Sequence, residues 1–343
     1  MKIEDYVNRY DPQNQFKVLS DSWKQIEFAL NNQYDLAGLK GKKYSSIIIT
    51  GLGGSAISGD IAENYLSDEL KIPMFVNRSY SLPSFAGQNT LVIASTYSGN
   101  TEETLSVLEQ AIERGCPVLV ITTGGKARST AETNNIPVIK LQPGFQPRYA
   151  LGLSLFSLIV SLEELCLIKP QKQQTEHILK LWKEKSGKYS AEANIAFSTA
   201  QNLVGYIPVI YSVTNITSAA GYRFKCQLNE NSKVHAFHNV LPEMNHNEII
   251  GWETYNEKTF PVKIVFLSDD SCHPQIAKRF NFLEEIFEQN KIDVINLKSS
   301  EINFKARLMD LIYLCDWITF FLSVQRGYDP SEINYINQLK ERL

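Results

Sequence analysis

Five short runs of mostly β-branched and apolar residues, each followed by a longer stretch of helical spacing, constrain what the first half of this chain can become. They are SSIIITG at 45–51, PMFV at 73–76, TLVIAS at 90–95, PVLVITT at 117–123 and PVIKL at 137–141. A strand that is apolar along its whole length needs cover on both faces, and strands alternating with helices make βαβ units. The pattern predicts an α/β fold, a mostly parallel sheet between layers of helices. PVIYSV at 208–213, KIVFLSD at 263–269 and DVINLKS at 293–299 resume the rhythm around helical stretches near 216–228, 273–290 and 304–326. A second unit of the same three-layer αβα kind is expected there. The 343 residues, 43% of them hydrophobic, can bury at least one full core, and the length favours two domains.

Composition sets the boundaries. Residues 1–44 show mixed helical periodicity and read as a helical lead-in to a first domain at 45–170. Residues 171–189, rich in Lys and Gln after Pro170, read as a linker. The second domain takes 190–343 and closes with a short amphipathic helix that Ser331 is placed to cap. The run ALGLSLFSLIVSLEEL at 150–165 is apolar on most sides, as for a helix buried between layers or subunits. Lys and Arg total 34 against 37 Asp and Glu, a net charge of -3, so no basic excess argues for nucleic acid or a membrane surface. The N-terminus lacks the apolar core of a signal peptide, and the most apolar runs are interrupted by Glu163 and Glu164 or by Asp316. A soluble cytoplasmic protein is the expectation. Its five scattered cysteines, with no Cys-x-x-Cys pair, suit reduced thiols.

Two strand ends look built for an anion. The first strand runs into GLGGSAISGD at 51–60, where glycines let the backbone approach a ligand and a helix starting near Ser55 offers its unpaired N–H groups. A dinucleotide fold would also want an acid at the end of the second strand, and PMFVNRSYSL has none. The third strand ends in STYSGNTEET at 95–104, several hydroxyls at a strand-to-helix turn. Ser98 or Thr101 could equally just cap that helix, with Glu102 and Glu103 favouring its dipole. Two such loops at the carboxyl ends of neighbouring parallel strands favour a ligand, and a hydroxyl-lined cradle suits a sugar phosphate.

The stretch from Asn229 to Trp252, NENSKVHAFHNVLPEMNHNEIIGW, is poor helix and poor strand, broken by Pro242 and several asparagines, yet it holds the acid/base candidates Glu230 and His246. His235, His238, His246, Glu243 and Glu248 could instead hold zinc, but the three-residue spacing of His235 and His238 points their rings to opposite faces of an extended segment. No metal and no cofactor is expected.

GLGGSAISGD with STYSGNTEET resembles the sugar isomerase (SIS) domain, a phosphosugar-binding α/β module. QLNENSKV, LPEMNHNEIIGW, QPRYALG at 146–152 and the terminal LKERL narrow the resemblance to the bifunctional phosphoglucose/phosphomannose isomerase family, in order over nearly the whole chain. The resemblance implies two SIS domains and an aldose-ketose isomerase acting through an enediolate, with Glu230 as the base, His246 opening the sugar ring and Arg148 offsetting enediolate charge. Lys340 matches a family lysine near the ring oxygen or substrate hydroxyls. Gly53, Gly54, Ser55, Thr96, Ser98 and Thr101 fall at phosphate-binding positions, and Thr96 stands where the family usually has serine. The family also implies a homodimer whose sites borrow residues across the interface, with roles in glycolysis, gluconeogenesis and mannose metabolism. A phosphosugar sensor without catalysis is the alternative from another class, disfavoured because only about 40 residues, with little basic charge, precede the first strand. Another SIS-domain phosphosugar enzyme, such as an amidotransferase-type synthase, would need an amine-donor domain, and no nucleophilic N-terminal Cys is present.

Overall fold

The computed structural model describes residues 2–258 and 260–342. The chain packs as two compact units, residues 22–180 and residues 1–21 with 181–343. In chain order, α1 (Ile3–Tyr10) and α2 (Gln15–Ser20) lead into α3 (Trp23–Asn31). Then follow β1 (Ser46–Thr50), α4 (Gly53–Tyr65), β2 (Met74–Asn77), β3 (Thr90–Thr96), α5 (Glu102–Glu113), β4 (Val118–Thr122), α6 (Gly125–Thr133) and β5 (Val138–Lys140). A 3-10 turn at Pro147–Tyr149 precedes α7 (Leu151–Glu164) and α8 (Lys172–Tyr189). Next come α9 (Ile195–Leu203), β6 (Ile207–Val213), α10 (Ser218–Glu230) and β7 (Phe237–Leu241), then 3-10 stretches at Glu243–His246 and Glu248–Thr254. Last are β8 (Val262–Leu267), α11 (Pro274–Gln289), β9 (Val294–Leu297), α12 (Phe304–Gln325) and α13 (Asn334–Lys340).

Each of the eight expected strands is present, and every strand pair is parallel. The first sheet has the order β2-β1-β3-β4-β5. The chain leaves β1 for β2 on one side and returns to β3 on the other, so a crevice opens between the carboxyl ends of β1 and β3, where such sheets bind ligands. β1, β3 and β4 are buried along their whole length, which is why they read as unbroken apolar runs. The second sheet, β7-β6-β8-β9, contains a strand drawn from the polar stretch after Glu230. FHNVL sits at the sheet edge with only Leu241 fully buried, so it lacks the apolar run of the central strands and its sequence hides its state.

Three structural features differ in emphasis from the sequence reading. The stretch read as a linker at 171–189 is largely helix α8. Residues 1–21 belong with the second unit. There Phe16 meets Trp317 edge-on at 5.2 Å, and the Tyr313 hydroxyl donates to Leu19 O at 2.8 Å. Finally, α7 and α12 are buried within their own units. α12 is long and apolar enough to cross a membrane, yet 94% of its most apolar window is covered by the protein. Their apolarity is thus satisfied by intramolecular packing, and it lends no support to a subunit contact.

Candidate functional site

In the unit 22–180 the phosphate-type loops are knitted together at the crevice between β1 and β3. Gly51 follows β1 and runs so close to β3 that a Cβ there would sit 2.7 Å from Ser95 O. α4 starts at Gly53, and the N–H groups of Gly53 and Gly54 donate to no protein group among the described residues. They are the helix's orphan donors. Ser55 is buried and its Oγ accepts the Tyr97 N–H at 3.1 Å, so the first loop is tied to the second while the Ser55 hydroxyl hydrogen stays available.

The second loop is shaped by backbone contacts. Gly99 has φ +72° and lies against Gly124, whose carbonyl oxygen would be 1.8 Å from any Cβ. Its N–H donates to Thr96 Oγ1 at 3.2 Å, and its carbonyl accepts Ala127 N at 2.9 Å. Thr101 occupies the N-cap position of α5 but makes no capping bond; its hydroxyl lies 2.9 Å from Thr96 Oγ1. The purely capping account of Thr101 therefore does not describe this helix start. Ser98 is exposed and accepts the Asn100 N–H at 3.2 Å, whereas Thr96 is fully buried and its hydroxyl braces the loop from within.

Arg148 is brought to the same edge. The carbonyl of Pro147 packs 2.6 Å from where a Gly54 Cβ would lie, so only glycine lets the Pro147–Tyr149 turn close on α4. The Tyr97 hydroxyl donates to Gln142 O and accepts Phe145 N, both at 2.9 Å, which fixes the approach to that turn. Burial pushes the Tyr97 phenol above its usual range, partly offset by the Phe145 N–H, so it stays a protonated donor. Gln25 of α3 secures the far side by donating to Tyr149 O at 2.7 Å. Arg148 is itself buried, donates to Gln146 Oε1 at 2.7 Å and lies over the Tyr149 ring at 5.5 Å.

Glu230, His246 and Lys340 lie in the other unit. Glu230 is the last residue of α10 and half-buried. The segment beyond it is held against α12. Asn231 Nδ2 donates to Thr319 Oγ1 at 3.0 Å, Ser232 Oγ to Thr319 O at 2.7 Å, and Ser323 Oγ to Asn231 O at 2.7 Å. α10 itself is locked to α12 by Arg223 and Asp316, a bidentate pair at 2.9 and 2.8 Å with both residues buried. Burial raises the Asp316 carboxyl and Arg223 works against that rise. Nothing in the local sequence marked this pair as a support for Glu230.

His246 is exposed at the end of the Glu243–His246 turn. Lys340 ends α13, which has no buried residue, and Leu343 of the terminal motif lies outside the described residues. His235 is exposed just before β7. His238, on β7, bonds Ser212 Oγ through Nε2 at 2.7 Å, and burial, then Lys225, lowers its pKa to about 4. Among the described residues no group of three or more His, Cys, Asp or Glu side chains is arranged to hold a metal ion.

Residues 41–143 match the SIS domain family model, and residues 192–343 match the model of the bacterial phospho-glucose isomerase C-terminal SIS domain. A Caldicellulosiruptor bescii protein named bifunctional phosphoglucose/phosphomannose isomerase is 37% identical over 309 residues, covering 89% of this chain and 91% of that protein. An Aquifex aeolicus protein of the same name is 36% identical over 335 residues, 96% of this chain and 98% of that one. The solved structure of a hypothetical protein from Thermus thermophilus shares the fold, with a TM-score of 0.73 at 13% identity, covering 99% of this chain and 92% of that one. With two SIS domains and relatives this similar along nearly its full length, the chain belongs to the bifunctional phosphoglucose/phosphomannose isomerase family of sugar-phosphate isomerases.

Proposed function

We propose that this protein interconverts glucose 6-phosphate and mannose 6-phosphate with fructose 6-phosphate through an enediolate, without a metal ion. The observation that carries the reading is the cradle between β1 and β3, where the free N–H groups of Gly53 and Gly54 and the hydroxyls of Ser55, Ser98 and Thr101 are gathered for a dianion. Thr96 holds that loop in shape from beneath. His246 donates a proton to the ring oxygen as the C1–O5 bond of the aldose breaks, and the C1 hydroxyl releases its proton to water as C1 becomes a carbonyl. Glu230 then takes the proton from C2 and returns it to C1, and the hydroxyl proton on C2 moves to the oxygen on C1. Arg148 offsets the negative charge of the enediolate between these steps. Lys340 bears on the ring oxygen or the sugar hydroxyls.

Both aldoses converge on one enediolate because C2, where they differ, becomes planar in it. The protein works as a cytoplasmic homodimer whose sites borrow residues between copies, in glycolysis, gluconeogenesis and mannose metabolism. A coupled assay for fructose 6-phosphate from each aldose tests the reading. Wild type turns over both, Glu230→Gln loses activity on both by about a thousandfold or more, and EDTA leaves wild type unchanged. Equal rates in wild type and Glu230→Gln would remove Glu230 as the base. Activity on the glucose ester alone would end the double specificity, and a single-copy mass by light scattering would end the dimer.

A further inference from the structure

Two residues past His246, one carboxylate fastens the chain to the second sheet. Glu248 Oε1 accepts the Tyr211 hydroxyl at 2.7 Å, and its Oε2 accepts Asn239 Nδ2 at 2.5 Å. Tyr211 on β6 and Asn239 on β7 are register partners, so both side chains rise from the same face of the sheet. Trp252 Nε1, at the far end of the same segment, donates to the Tyr211 oxygen at 3.0 Å. The Tyr211 ring is buried and parallel to Phe287 at 6.2 Å, while Trp252 meets Phe287 edge-on at 5.3 Å. This fastening is therefore rooted in the core and closed at both ends of the Glu248–Thr254 stretch.

The turn that carries His246 has few other fixed points, among them a 3.4 Å bond donated by Arg279 Nη1 to Asn245 Oδ1. On its near side Met244 is fully buried, and Asn247 spans it by donating to Glu243 Oε1 at 3.1 Å and accepting Glu248 N at 2.6 Å. An exposed imidazole on a four-residue 3-10 turn gains no packing of its own, so its direction is inherited from the fixed points either side of it. Hydrogen bonds to an ionised acceptor are the stronger kind, and a chain from Trp252 through Tyr211 to Glu248 polarises each member.

We propose that Glu248, through Tyr211 and Asn239, is the positioning residue for His246 and holds the imidazole where it meets the ring oxygen of the sugar. The inference rests on the ring-opening role of His246. Its test is a double-mutant cycle read as kcat/KM for conversion of glucose 6-phosphate. Sugar rings also open unaided in water, so a His246→Asn protein keeps a slow, measurable rate. In the wild-type background, Glu248→Gln and Tyr211→Phe each lower kcat/KM by about tenfold to a hundredfold, the scale of a misplaced catalytic group. In the His246→Asn background the same changes cost no more than about twofold, because the group they position is already absent.

Equal losses in both backgrounds would make the cluster merely structural and overturn the proposal, as would no loss in either. If His246→Asn itself leaves the rate untouched, the ring-opening role has failed and the positioning role falls with it. That result differs from the first, in which His246→Asn is slow but the losses still add. Should Glu248→Gln fail to fold, Tyr211→Phe, which keeps the bond from Asn239, carries the same comparison.

Discussion

The two units hold their candidate site groups in place by opposite means. In residues 22–180 the cradle is made of backbone. Gly51, Gly54 and Gly99 let main chain run against main chain, at distances where a Cβ would lie 2.7, 2.6 and 1.8 Å from a carbonyl oxygen. In the other unit, Glu230 and His246 are carried on segments fixed by side chains, through Arg223 and Asp316 on one side and Tyr211 and Glu248 on the other. Backbone contacts yield only by moving chain, whereas a side-chain clamp gives by rotation. The first site should be brittle to the loss of a glycine, and the second should degrade by steps.

Glycine substitution in each region tests that contrast most severely. Gly99→Ala must place a Cβ 1.8 Å from Gly124 O at φ +72°. It should cost more than about 3 kcal/mol in a denaturant titration and reduce kcat/KM by about a hundredfold or more. Gly221→Ala, inside α10, meets Nε2 of His238 at 2.4 Å and Oγ of Ser212 at 2.9 Å, both of them side-chain atoms. The ring can swing away at the expense of its bond to Ser212, so the loss should be about 1–3 kcal/mol. Equal penalties for the two would erase the distinction between a backbone cradle and a side-chain clamp.

The same contrast decides how much was legible in the sequence. Glycines and hydroxyls crowded at a strand end are a local signal, so Gly53, Gly54, Ser55, Thr96, Ser98 and Thr101 could be named as candidates from local sequence, and the apolar runs of β1, β3 and β4 announced the sheet. Arg223 and Asp316 stand 93 residues apart, and Tyr211 and Glu248 stand 37 apart. No local periodicity reports such pairings. β7 read only as an extended segment, strand or loop, for a related reason: an edge strand half-buried on most of its length carries little apolar alternation. The attachment of residues 1–21 to the second unit rests on Phe16 and Leu19 reaching α12 across nearly the whole sequence.

A smaller effect belongs to the clamp side alone and depends on pH. Burial, then Lys225, lowers the folded pKa of His238 to about 4, against an ordinary value of 6.5. The unfolded chain therefore binds the extra proton first as pH falls. The stability that comes from keeping His238 neutral is complete above about pH 6.5 and is lost progressively as pH drops toward 4. The urea midpoint of the wild type should decline across that window. His238→Asn, which can still bond Ser212 but does not titrate, should flatten the decline, and an unchanged slope would mean the ring is not held neutral.

The smallest effect should come from Thr96. Its Oγ1 lies 2.9 Å from Thr101 Oγ1 and accepts the Gly99 N–H at 3.2 Å, both of which a serine hydroxyl can reproduce. The methyl group adds only buried apolar contact, since the residue is fully covered. Thr96→Ser should therefore cost about 1 kcal/mol of stability and leave KM for either aldose within about twofold. If Thr96 touched the phosphate directly, the methyl would also set how closely its hydroxyl approaches, and its removal would change KM well beyond that range while stability barely moved. The ratio of the two changes thus separates a brace beneath the loop from a ligand of the substrate.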